Sequence, residues 1–185
     1  MENKRQDDET TRDLTAALAA VRHAAETRFS LAGIPEVARV RDLVARAPDS
    51  WKALAPEDAF FLFEIDRAAA ARAEPRRLAE AYCAGLGATA PEWWGIPGST
   101  DTAAAAHLVA LGRAALPCLI TRFDDARPLP YHRSEAATAS AELAWTVADL
   151  AAGLAAAIAG IAYEHRAAPA ERAARRRELE HTLAS

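Results

Sequence analysis

A chain of 185 residues with a formal net charge of −4 lacks the basic excess that a nucleic-acid binder carries on its contact face. Hydrophobic residues make up 51% of it, which excludes a disordered polymer and allows a core to form without metal or disulfide support at this length. Alanine dominates that share. It favours helix but fills little volume, so the core must rest on a few large Leu, Ile, Val, Phe and Trp side chains.

Taken in order, residues 1–10 are charged and read as a disordered tail. No apolar stretch follows that resembles a secretory leader, so a cytoplasmic location is the expectation. A helix over 11–29 is marked by Leu14, Leu18, Val21, Ala25 and Phe29 at helical spacing. Gly33 punctuates the chain. Pro35 then stands where a first-turn proline belongs, opening a helix that runs to Arg46 with Val37, Val40, Leu43 and Val44 on one side. Pro48 ends it, and a short turn carries Trp51 and Leu54.

Pro56 opens the next helix, with Glu57 and Asp58 in its first turn, where the helix dipole favours acids. Phe60, Phe61, Leu62, Phe63 and Ile65 leave no polar face, so this helix is predicted to be central. Glu64 and Asp66 in that run read as solvent-exposed or paired with Arg67. Pro75 starts a helix to Leu86 with Leu78, Tyr82 and Cys83 inward. Cys83 and Cys118 make no disulfide framework and read as small buried hydrophobes.

The segment 87–100 is irregular and carries adjacent Trp93 and Trp94. A helix over 102–111, a short apolar helix over 114–123, a second irregular segment over 124–133 and a long helix over 135–159 follow. The stripe of that long helix is Leu143, Val147, Leu150, Leu154 and Ile158. Its apolar run is too short to span a bilayer, so no membrane segment is expected. A last helix from Pro169 is charged nearly all round and is predicted to be exposed. The fold class is all-α. The expected layout is a tail over 1–10, one helical domain over 11–163 and a charged C-terminal helix within 164–185.

No motif for a cofactor or a nucleophilic triad is present, and the histidines His23, His107, His132, His165 and His181 lack zinc-ligand spacing. No catalytic residue and no metal or cofactor site is assigned. The one segment that mixes acid, base and aromatic groups is 124–133, where His132 lies near Asp124, Asp125 and Glu135.

At Leu111 to Asp125 the sequence LGRAALPCLITRFDD resembles the junction of two HEAT-type repeats. Gly112, Ala115, Leu116, Pro117, Leu119, Ile120 and Asp125 carry the likeness, while no repeat of fixed period runs through the chain. The resemblance implies an irregular stack of about seven to eight helices in antiparallel hairpins. In such a stack 87–100 and 124–133 would both be within-hairpin connections on one edge. Both are longer than most helix connections. Their candidate binding residues are Trp93, Trp94, Ile96, Asp124, Asp125, Arg127, Tyr131, His132 and Arg133. Trp, Tyr and Arg are the types that most often carry binding energy.

The expectation is a non-catalytic module, of adaptor, regulatory or immunity type, whose partner is another protein. Some HEAT-like proteins are enzymes, including DNA glycosylases and bilin lyases, and the same loop edge could serve such chemistry. The net acidity argues against nucleic acid as partner. Self-association through the C-terminal helices is a further possibility.

Overall fold

The computed structural model describes residues 2–26, 31–87, 93–129, 131 and 135–184, without the side chains of 2–7 and 135–136. Every regular element among them is helical; the only extended pairing is one isolated antiparallel bridge, Pro128 with Thr146. Two compact units make up the chain, Met1–Ala88 and Thr89–Ser185, where the sequence reading drew a single domain over 11–163.

The first unit contains α1 (Glu2–Ala25), α2 (Pro35–Arg46), a 3-10 turn (Ser50–Ala53), α3 (Pro56–Ile65), α4 (Arg67–Arg72) and α5 (Pro75–Gly85). Prolines open α2, α3 and α5 because their missing N–H is one that no helix start can satisfy internally. Helix α1 corrects the predicted tail: it begins at Glu2.

Helix α3 is central, as its apolar run demands. It packs most extensively on α5 and also on α1, α2 and α4. Phe60, Phe61, Leu62 and Phe63 have no exposed surface. Phe60 meets Phe61 and Tyr82 edge to face, with centroids 5.3 and 5.5 Å apart. The two acids of α3 are resolved by pairing. Glu64 lies 3.0 Å from Arg67 and accepts from the Tyr82 hydroxyl at 2.9 Å. Burial, then the Glu64 charge, holds that phenol above its ordinary range. Asp66 caps α4, accepting from the Ala68 and Ala69 amides at 2.9 and 3.2 Å.

The second unit contains α6 (Ala103–Leu111), a 3-10 turn (Gly112–Ala115), α7 (Leu116–Ile120), α8 (Glu135–Leu143), α9 (Val147–Ala159) and α10 (Pro169–Ala184). By length and composition Ala103–Ile120 could cross a membrane, with a mean hydropathy of 1.6. It is not one continuous α-helix, because Gly112 sits at φ 56 and ends α6. Helix α9 is the axis of this unit and packs on α6, α7 and α10. Its first ten residues, Val147 to Ala156, are all buried.

Where the sequence predicts one helix over 135–159, the chain breaks. Ala144 adopts φ 48, and α9 restarts behind Thr146. Asp149 drives the restart: its Oδ2 accepts from both the amide and the hydroxyl of Thr146, each at 3.0 Å.

The last helix is mostly exposed, as its charge pattern predicts, with Leu179 buried and one exception among its charged residues. Arg172 is 1% exposed. Its Nε lies 3.0 Å from Asp149 Oδ1, close enough for an ion pair although the direction misses hydrogen-bond geometry. Its terminal nitrogens donate to the carbonyls of Leu143, Ala144 and Ala167. Arg176 and the Tyr163 hydroxyl reach the same Asp149 oxygen. Burial, and next the Asp149 charge, push the Tyr163 phenol up to about 12. Cys83 is buried as expected and Cys118 only half-buried, and neither is a free thiol, so the reading of both as plain apolar side chains is corrected.

Two substitutions test this packing. Asp149→Ala leaves Arg172 buried without its counter-charge and is expected to cost about 3–5 kcal/mol of unfolding free energy in a urea titration. Gly85→Ala would ordinarily favour a helix, but a Cβ there would lie 2.6 Å from the Phe60 ring. It is expected to destabilise by about 1–3 kcal/mol in the same titration, and a more stable variant would refute the close approach.

Candidate functional site

The second unit brings its two irregular segments together. In the segment 124–129 the chain leaves α7 and runs against the start of α9. The carbonyl of Arg127 accepts from the Val147 amide at 2.9 Å, and that of Asp125 from the Ala148 amide at 3.0 Å. The Leu129 amide donates to Trp145 at 3.1 Å. These bonds satisfy first-turn donors of α9 that the helix itself leaves open. The segment is therefore a hydrogen-bonded strap rather than a loose loop.

Within the strap Asp125 is the hub. Arg127 donates through Nε to Asp125 Oδ1 at 2.8 Å and through a second nitrogen to Oδ2, a bidentate pair, and Arg122 approaches to 3.7 Å. The bonds from Arg127 outweigh partial burial and hold the carboxyl below its ordinary range. Asp124 beside it is exposed.

The segment 93–100 packs on α9 through a pair of glycines. A Cβ on Gly153 would lie 2.6 Å from the Gly98 amide nitrogen, so only a helix without a side chain at 153 admits this backbone. Gly98, at φ 89, in turn faces His165, whose Nδ1 would be 3.0 Å from an added Cβ. Tyr131 joins the two segments: its hydroxyl donates to the Gly95 carbonyl at 3.4 Å. Its ring tilts against Trp145 at 5.9 Å, and Trp145 against His165 at the same distance. The Trp145 indole donates to the His165 carbonyl at 2.7 Å.

Beside this aromatic row a cleft of about 490 Å³ opens between the strap and α8. Pro128, Leu129 and Tyr131 form one side, Ser140 and Ala141 are on the other, and Trp145 also lines it. The lining is mostly apolar, with the Ser140 hydroxyl as a polar group. Among the described residues no group of three or more His, Cys, Asp or Glu side chains could hold a metal ion.

The candidate residues fall into distinct groups. Tyr131, Ile96 and Trp93 are half-buried, and Asp124 and Arg127 are exposed. Trp94 has no exposed surface, so the reading of it as a contact residue is corrected: it is core. Asp125 and Arg127 satisfy each other. His132 and Arg133 lie outside the described residues, and with them the imagined acid–base group around His132. The cleft residues Ser140, Ala141 and Trp145 were not legible as a site. The spacing Thr146-x-x-Asp149 ahead of an apolar run was a usable signal that a helix starts there.

The chain matches no family model, no curated protein and no solved structure.

His165 gives this region a pH signature. Burial is the first cause that lowers its pKa from 6.5, and nearby Arg166 and Arg172 add to it against Glu164. The folded state therefore protonates later than the unfolded chain as pH falls. Stability is full above about 6.5 and declines below it. Melting temperatures between pH 7.5 and 5.5 are expected to fall more steeply for the native chain than for His165→Gln. Parallel curves would mean that the imidazole is not desolvated.

Proposed function

We propose that this chain is a non-catalytic, helical protein–protein interaction module, of adaptor, regulatory or immunity type. The second unit would act as a HEAT-like stack of helical hairpins that offers its strap edge to the partner. The HEAT-like reading draws support from the end of α6 at Gly112 and the restart of helix near Pro117.

One observation carries the placement of the binding surface. Tyr131 ties the strap to the segment 93–100 and stands on the wall of the apolar cleft. The strap is fixed by backbone bonds, so the cleft is preorganised and little ordering entropy is lost on binding. A concave, mainly apolar lining with a tyrosine and a tryptophan suits an apolar side chain of a partner protein, with the Ser140 hydroxyl orienting it. Arg127, exposed and anchored by Asp125, would add a charged contact at the rim.

The test is binding of the partner captured by the native chain, then measured with both proteins purified. Ala141 is exposed and lines the cleft, so Ala141→Glu should leave the fold intact and place an unpaired charge in the interface. A loss of affinity of about thirtyfold or more is expected. Full affinity in the Ala141→Glu variant with an unchanged melting curve would remove the cleft from the interface.

A further inference from the structure

The segment 161–168, which joins α9 to α10, sets one titratable side chain against the aromatic row. His165 is half-buried, and its Nε2 is buried with no hydrogen-bond partner among the described residues. Its ring centroid lies 5.9 Å from that of Trp145, and its carbonyl accepts from the Trp145 indole at 2.7 Å. Gly98 comes so close that an added Cβ would stand 3.0 Å from Nδ1. Trp145 lines the cleft, and so does Tyr131 against its ring. The imidazole is thus one residue removed from the cleft wall.

A neutral imidazole can leave Nε2 as a bare acceptor. The imidazolium carries a proton on both nitrogens, so protonation puts a charged donor at Nε2 with nothing to receive it. Such a donor has to reach water. The charges around it offer little relief. Glu164 favours the cation, but from an exposed position and with Oε1 already accepting from the Arg166 amide at 2.8 Å. Arg166 and, from α10, Arg172 oppose it. Asp149 of α9 is taken by Arg172 and Arg176, and the segment 93–100 contains no charged residue. The joining segment is anchored on both sides of His165, by the Tyr163 hydroxyl on Asp149 and by the Ala167 carbonyl on Arg172. Movement that wets the ring is therefore confined to 164–166, and that stretch carries the carbonyl that holds the Trp145 indole.

We propose that His165 is a pH-sensitive clamp on the cleft: uncharged, it holds Trp145 in the cleft wall, and protonated, it swings out and releases the indole. As a control of partner binding this rests on the interaction reading, but the clamp itself is tested without a partner. In the full chain the His165 ring protons and the Trp145 indole proton are followed by NMR from pH 7.5 to 5.0, the indole assigned by its loss in Trp145→Phe. Both are expected to change with one midpoint, below 6.5. Protection of that indole proton from hydrogen exchange, corrected for the intrinsic effect of pH, should fall about threefold or more over the same range. In His165→Gln, which keeps the carbonyl and cannot charge, the indole resonance should stay flat. An indole whose resonance and protection ignore pH in the native chain, or change equally in His165→Gln, would overturn the clamp. With the captured partner, affinity should fall about threefold or more between pH 7.5 and 5.0, and by less in His165→Gln. An indole that titrates with His165 while affinity holds steady would keep the clamp and remove the cleft from the interface.

Discussion

The second unit depends on one carboxylate. Asp149 is 1% exposed, yet it serves the first turn of its own helix, two arginines from α10 and the Tyr163 hydroxyl. A buried charge is tolerated only where counter-charges and hydrogen bonds replace its water. Arg172 repeats that logic from the other side, since its guanidinium also gathers the carbonyls at the end of α8 and at Ala144. The break between α8 and α9 and the seat of α10 are consequently one feature. The left-handed Ala144 is supported because its carbonyl accepts from the buried Arg172 guanidinium.

The same arrangement holds one side of the candidate cleft in place. The strap over 125–129 is bonded to the start of α9, the helix that Asp149 initiates. Trp145 sits in the break itself and connects Tyr131 to His165. The close contact of Gly153 with Gly98 brings the segment 93–100 onto the same helix. A helix so rich in alanine lets backbone approach closely, and here it is used to seat irregular chain rather than to pack large side chains. The first unit is built the opposite way, with four consecutive large residues of α3 buried and aromatic rings meeting edge to face.

Much of the candidate site was hidden in the sequence for a physical reason. Trp93 and Trp94 are chemically identical neighbours in an irregular segment, and periodicity has no hold there. One is half-buried and the other fully buried. Asp125 and Arg127 were legible as candidate residues, and they pair because they are two residues apart on the strap. The cleft was not, since it is formed by alanines of α8 and by Trp145, residues that carry no chemical signature until the strap lies beside them.

Local rules, by contrast, determined a great deal. The stripe Leu14, Leu18, Val21 and Ala25 is buried as its spacing requires, and prolines mark the starts of α2, α3, α5 and α10. The all-helical class, the centrality of the Phe60–Phe63 run and the Glu64–Arg67 pair also follow from residues within a few positions of one another. Tertiary structure alone decided the burial of Arg172, the break at Ala144 and the depth of Trp94. Each depends on partners far along the chain, and a helix that looks charged all round gives no local sign of which cation will find the buried acid 23 positions earlier. Secondary structure is written in short-range sterics and periodicity, whereas the pairing of a buried charge is fixed only when folding removes its water.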